Sequence, residues 1–114
     1  MQNVTAQSWL LGGNQVATDT SLGTKNNHDL KIVTNNIERA RVSANGNVGI
    51  GTTKPGFPLN FADKMGDKIS FWGFKGAHYG IGIQSLLMQL YTSDPIADIA
   101  FGTKLGKAID CTCF

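Results

Sequence analysis

The sequence lacks the features that would mark a membrane or secreted protein. It contains no apolar run of the roughly 18 residues needed to cross a bilayer, so we expect no membrane insertion. Residues 1–13 have no basic segment and only a short apolar core at residues 9–11, which predicts no Sec-type signal peptide. If the protein works outside a cell, it is expected to leave by lysis or through a dedicated machine.

Charge is also scarce, at 16% of residues against about 25% in typical soluble domains. The net charge of +2 is too small and too dispersed to indicate a nucleic-acid partner. Hydrophobic residues nevertheless make up 41% of the chain, which excludes a disordered tail. A surface with so few charges predicts that part of it faces another chain.

Residue groupings that bind metals or cofactors are missing from the sequence. His28 and His78 lie far apart and fit no metal-ligand spacing. Cys111 and Cys113 form a C-x-C pair whose own bridge would close a tiny strained loop, so we interpret them as tail residues. There is no phosphate-binding loop, dinucleotide fingerprint or G-x-S-x-G motif. We therefore expect no metal site and no cofactor.

Carboxylates leave one enzymatic alternative open, a polysaccharide depolymerase. Such an enzyme needs two carboxyl groups on facing elements. Two of the aspartates lie in predicted turns, where local backbone hydrogen bonds favour this residue. We therefore expect a protein that is not an enzyme. The carboxylate candidates for the alternative are Asp63, Asp67, Asp94 and Asp98.

Residues 30–50 carry the clearest structural pattern, an alternation of apolar and polar residues with period two. This period predicts β-strands. Asn35-Asn36 and Asn45-Gly46 predict the turns between them, since Asn-Gly is the strongest short hairpin signal. We place Arg39 and Arg41 on one face of their strand and Glu38 on the other. The two arginines are then either solvated or paired with acidic groups of a neighbouring chain.

The strand Val48-Gly49-Ile50-Gly51 alternates β-branched residues with glycine. Glycine offers no side chain to pack, so this pattern indicates that another backbone approaches closely on that face. Three copies meeting near an axis would explain it. The residues predicted to form the core of such a trimer are Ile32, Val42, Val48 and Ile50.

Pro55 and Pro58 interrupt the strand pattern, and we place a module boundary at residue 56. Residues 57–114 then predict about five strands separated by Gly, Asp or Pro turns. The segment 84–91 also fits a helix, although its β neighbours favour a strand. We expect another strand at residues 97–101 and find no persuasive pattern in residues 103–114.

Aromatic residues cluster in this second module and give it two alternative roles. Trp and Tyr rings can stack on sugars, and they can equally form the core of a small β-sandwich. Trp72 and Phe74 share a predicted strand face opposite Ile69 and Phe71, while His78 lies in a predicted tip loop. The candidate receptor-binding residues are Trp72, Phe74, His78, Tyr79 and Tyr91.

The run LGTKNNHDLKIVTNNIERARVSANGNVGIGTTKP, residues 22–55, resembles a motif of phage tail-fibre and fibrous adhesin proteins. It covers about a third of the chain. Within residues 57–114, DKISFWG, HYGIGIQ and DIAFG are similar to segments of fibre-associated domains. The resemblance implies a homotrimer in a virion tail or extracellular fibre, which contacts other tail or baseplate proteins and binds a host surface glycan or protein.

Pattern and resemblance together predict an all-β chain. Residues 1–56 would form an intertwined homotrimeric fibre stem, and residues 57–114 a small β-sandwich or β-prism head. The expected function is a structural and attachment protein of a phage-type tail fibre or a related injection-machine fibre. A fibre-to-baseplate assembly adaptor is the first alternative and the depolymerase the second.

Overall fold

A computed structural model describes residues 9–10, 12–97, 99–104 and 107–109, and these residues contain strands and turns but no helix. The expectation of an all-β chain is confirmed. The strands in chain order are β1 Leu30–Thr34, β2 Ile37–Val42, β3 Val48–Ile50, β4 Leu59–Phe61, β5 Gly66–Phe74, β6 Ala77–Gln84, β7 Leu87–Tyr91, β8 Phe101–Lys104 and β9 Lys107–Ile109.

The first sheet has the order β1-β2-β3-β4. β1, β2 and β3 are antiparallel neighbours joined by the two predicted turns. Asn35 and Asn36 both adopt left-handed backbone conformations, with φ of 51° and 56°, as a tight hairpin requires. Asn tolerates this region better than most residues because its short side chain can hydrogen-bond locally.

β4 lies beyond the predicted boundary at residue 56 and yet belongs to the first sheet. It pairs with β3 in parallel, with Val48 opposite Leu59 and Ile50 opposite Phe61. A parallel partner requires a crossover connection, which residues 51–58 provide. The first sheet therefore extends to residue 61, past the two prolines.

The second sheet has the order β5-β6-β7 and is an antiparallel meander. Gly76 has a φ of 90° in the turn that joins β5 to β6. Residues 85 and 86 form the next turn, and Leu87–Tyr91 follows as a strand. The helix alternative for residues 84–91 is therefore wrong, because these residues pair with β6.

The third element is a hairpin of β8 and β9. Its first strand begins at Phe101, so the described part of the predicted strand at 97–101 is mostly irregular chain. Lys107–Ile109 pairs with β8, although the sequence pattern predicted no strand in residues 103–114. Cys111 and Cys113 lie outside the described residues.

No hydrophobic side chain in the described part of the chain is buried, and therefore a single copy has no hydrophobic core there. The radius of gyration is 20.4 Å, whereas a compact domain of this length would have roughly 13 Å. The strands in extensive contact are hydrogen-bonded neighbours within one sheet. The second layer of a sandwich is thus not supplied by the described residues of the same chain.

Candidate functional site

The first sheet has one face made almost wholly of apolar side chains. Residues directly opposite each other in paired strands point to the same side, so the register defines this face. Val42 lies opposite Val48, which lies opposite Leu59, and Ala40 lies opposite Ile50 in the next row. We call this surface the aliphatic face; it comprises Leu30, Ile32, Ala40, Val42, Val48, Ile50, Leu59 and Phe61.

All four residues predicted to form a trimer core lie on the aliphatic face. Ile32, Val42 and Ile50 are exposed in the single chain, and Val48 is half-buried. At about 25 cal/mol per Å² of apolar surface, such a face is costly to leave in water. It requires a cover that the described residues of one chain do not provide.

Gly49 lies on the opposite face of the first sheet and has a cause within its own chain. A Cβ atom at this position would approach the Thr52 carbonyl oxygen to 2.7 Å and Pro55 Cβ to 3.4 Å. The backbone that requires glycine here is therefore the crossover loop. The expected close approach of another backbone is confirmed at Gly49, and that backbone belongs to the loop of the same chain rather than to a neighbouring copy.

Arg41 forms an ion cluster on this same opposite face. Its Nε donates to Glu38 Oε1 at 2.5 Å and its Nη2 donates to Glu38 Oε2 at 2.7 Å. Its Nη1 reaches Asp29 Oδ2 at 2.5 Å, and Asp29 Oδ1 accepts a hydrogen bond from the Ala44 amide at 2.8 Å. The cluster connects the chain before β1, the strand β2 and the turn that follows it.

The predicted separation of Arg41 from Glu38 is therefore wrong, and a β-bulge is the reason. Val33 pairs with Glu38 while Ile32 pairs with Ala40, which leaves Arg39 as the extra residue in β2. The bulge turns Glu38 to the side of Arg41. Arg39 instead donates from Nε to the Thr34 hydroxyl at 3.0 Å.

Glu38 and Arg41 shift each other's pKa in the directions expected for an ion pair. The hydrogen bonds from Arg41 lower the pKa of Glu38 below its ordinary value of 4.5. The same contact raises the pKa of Arg41. Glu38 is thus held as a carboxylate, and its pairing is a local feature of one chain.

The second sheet also has one apolar face, and two bulges in β5 determine which residues lie on it. Ile69 pairs with Ile81 and Trp72 pairs with Tyr79, while Lys68 and Phe71 are the extra residues. The sequence predicted Ile69 and Trp72 on different faces of their strand. This prediction is wrong, because the bulge at Phe71 places both side chains on the same face. We call this surface the aromatic face; it comprises Ile69, Trp72, Phe74, Ala77, Tyr79, Ile81, Ile83, Met88 and Leu90.

The predicted receptor-binding residues divide between the two faces of this sheet. Trp72, Phe74 and Tyr79 lie on the aromatic face, where the rings of Trp72 and Tyr79 are 5.0 Å apart and tilted by 44°. His78 and Tyr91 lie on the opposite face. The structure therefore brings three of the five together and separates them from the other two.

His78 is not in a tip loop, as the sequence suggested, but in β6. It is 8% exposed and is the one buried polar residue in the described part of the chain. Its Nε2 lies 3.2 Å from Asp67 Oδ2 and also contacts the Tyr91 hydroxyl. Alternation along β6 could have revealed this location, since His78, Gly80, Gly82 and Gln84 follow one another at every second position.

Gly82 lies beside this cluster and makes room for it. A Cβ atom on Gly82 would lie 3.3 Å from Asp67 Oδ1 and 3.4 Å from Tyr91 Cε1. Burial raises the pKa of the Tyr91 hydroxyl, and the Asp67 carboxylate raises it further. The three side chains connect β5, β6 and β7 across the middle of the sheet.

Three of the four carboxylate candidates, Asp63, Asp67 and Asp94, lie in the described residues. Asp94 Oδ1 accepts a hydrogen bond from the Ile96 amide at 3.0 Å, the local turn contact expected from the sequence. Asp67 is engaged by His78. Asp98 lies outside the described residues. In the part of the chain that is described, no group of three His, Cys, Asp or Glu residues is placed to hold a metal ion.

Searches against family models, curated proteins and solved structures found no match to this chain. The described residues also contain no helix of the length and hydropathy needed to span a membrane.

Proposed function

We propose that this chain is a structural and attachment segment of a homotrimeric fibre, of the kind found in phage tails and related injection machines. The observation that carries the proposal is the uncovered aliphatic face. Its residues are in register across all four strands of the first sheet, as a face built to pack would be. The crossover loop lies over Gly49 on the other side of the sheet.

The exposed area agrees with association. The chain exposes 10492 Å², whereas a compact monomer of 12.2 kDa would expose roughly 6,100 Å². A standard interface buries about 800 Å² on each partner, and each chain of a trimer has two neighbours. Two such interfaces on each chain would bury roughly 1,600 Å², which is about a third of this excess.

Attachment to a host surface glycan or protein is the second part of the proposal and rests on the resemblance of residues 22–55 to fibre proteins. The same resemblance supports a location in a virion tail or extracellular fibre, in contact with other tail or baseplate proteins. An assembly adaptor would share the trimeric architecture. A purified trimer that binds host cells supports attachment, whereas one that binds only baseplate proteins supports the adaptor.

The solution mass of the purified chain tests the architecture. Light scattering should give about 37 kDa, three times 12.2 kDa. A stable species near 12.2 kDa with the β content of the structure would overturn the proposal, because the aliphatic face would then be tolerated in water.

A further inference from the structure

The aromatic face of the second sheet continues into an open groove beside the first sheet. This groove has a volume of about 670 Å³. One wall consists of Ile69, Ile81, Ile83 and Met88 from the aromatic face. Phe57 and Phe61 contribute to the other wall, and Phe61 also belongs to the aliphatic face. The two apolar faces therefore border the same groove, whose lining also includes the charged residues Lys54, Asp63, Lys64 and Lys68.

We infer that the aromatic face is a second contact between copies of this chain, and that it does not carry the receptor. This inference rests on the proposed homotrimer. It assigns Trp72, Phe74 and Tyr79 to the interface. It leaves the opposite face, with Asp67, His78 and Tyr91, as the side of the second sheet that is turned to solvent.

The chemistry of the face favours a second copy as its occupant. None of its nine residues is charged, so it matches another uncharged apolar surface and offers nothing to an ionic or strongly polar partner. Each neighbouring copy has such surfaces of its own. Symmetry brings equivalent sheets of a fibre to the same height, where these faces can cover one another.

The size of the face also suits a protein partner better than a small ligand. Trp72 is 66% exposed, Phe74 75% and Met88 65%. Aromatic side chains bury about 150–250 Å² each when covered, so three aromatic and six other apolar residues approach the roughly 800 Å² that each partner contributes to a standard interface. A ligand in the groove would leave Trp72 and Phe74 in water, since neither lines it.

Lys68 is one of the charged residues that line the groove, and it has partners within the chain. Its Nζ donates to the Ala62 carbonyl at 2.9 Å and contacts the Lys64 carbonyl. This lysine therefore has carbonyl partners without an anionic ligand.

Fluorescence of Trp72 tests the inference. Replacing Trp9 by Phe leaves Trp72 as the single tryptophan. In the trimer its emission should be blue-shifted, and its quenching by iodide should be several-fold weaker than in the urea-unfolded chain. A trimer in which Trp72 is quenched as readily as in the unfolded chain would overturn the inference and leave the fibre proposal standing. A monomeric mass in the same sample would overturn both.

Two neighbouring residues of β7 provide a matched pair of variants. Met88 lies on the aromatic face and Gln89 on the opposite face. Met88 is largely exposed in one chain, so Met88→Lys is tolerated by the single fold and acts on contacts between chains. It should increase the quenching of Trp72 several-fold, while Gln89→Lys should leave it unchanged. Equal effects of the two variants, or no effect of either, would contradict the assignment.

Discussion

Each of the two sheets has one apolar face and one polar face. The sheets differ in the contacts that stabilise the polar face. In the first sheet the crossover loop lies against Gly49. The Arg41 cluster connects β2 to Asp29, in the segment that precedes β1. In the second sheet the His78 cluster and two glycines occupy the polar face. The polar faces are thus stabilised within one chain, whereas the described residues of one chain leave the apolar faces uncovered.

The apolar faces also differ in composition. The aliphatic face has β-branched and Leu side chains with one aromatic ring, and the aromatic face has three rings on a sheet with two bulges. Compact aliphatic residues suit close packing near a threefold axis. Bulges increase the twist of a strand, and the second sheet has two of them where the first sheet has one. The first sheet is accordingly expected to control assembly, and the second to follow it.

The largest effect is expected from a charge in the aliphatic face. Val48→Asp or Ile50→Asp should abolish the trimer, because a buried unpaired carboxylate costs several kcal/mol per chain and three would meet near the axis. Light scattering measures the loss of mass. Thr53→Asp, in the exposed crossover loop, is the control and should remain trimeric. A trimeric Val48→Asp variant with an unchanged melting temperature would show that the aliphatic face does not hold the chains together.

A change at Gly80 should disrupt the second sheet and spare the first. A Cβ atom there would lie 2.0 Å from the Ile69 carbonyl oxygen of the paired strand, so Gly80→Ala must displace β5 or β6. Overpacking of this kind costs about 1–3 kcal/mol or more. Thermal unfolding followed by Trp72 fluorescence should show an early transition. Gly23→Ala, where nothing lies near the added methyl group, should behave as the wild type.

The strands between residues 30 and 91 and most of their turns were predictable, because a period of two is visible in that part of the sequence. The bulges at Arg39, Lys68 and Phe71 were not predictable, since an extra residue leaves no mark in composition or alternation. Each bulge moved a side chain to the other face, and this is why Glu38 and Ile69 were misplaced. Ile32, Val42, Val48 and Ile50 lie on one face of the first sheet, and their role as a trimer core stays a prediction.

A smaller effect, a lower melting temperature, is expected from replacing Arg41. Replacing it by Met removes three donors and leaves the carboxylates of Asp29 and Glu38 close together without a cation between them. The melting temperature should fall, by less than in Gly80→Ala. Arg39→Met, which loses one hydrogen bond to a hydroxyl, is the matched control. Equal losses in the two variants would show that the cluster contributes nothing beyond a surface arginine.

The smallest effect is expected from acid, and it should come from the first sheet. The folded-state pKa of Glu38 is lowered below 4.5, so the stability that this carboxylate contributes is complete above that pH and disappears as pH falls through the lowered pKa. Glu38→Gln lacks this dependence. The difference in melting temperature between wild type and Glu38→Gln should therefore be constant near neutral pH and shrink below about 4.5. A difference that stays constant down to pH 2 would mean that the ion pair with Arg41 contributes no stability, and that the turn contacts of Asp29 fasten the first sheet on their own.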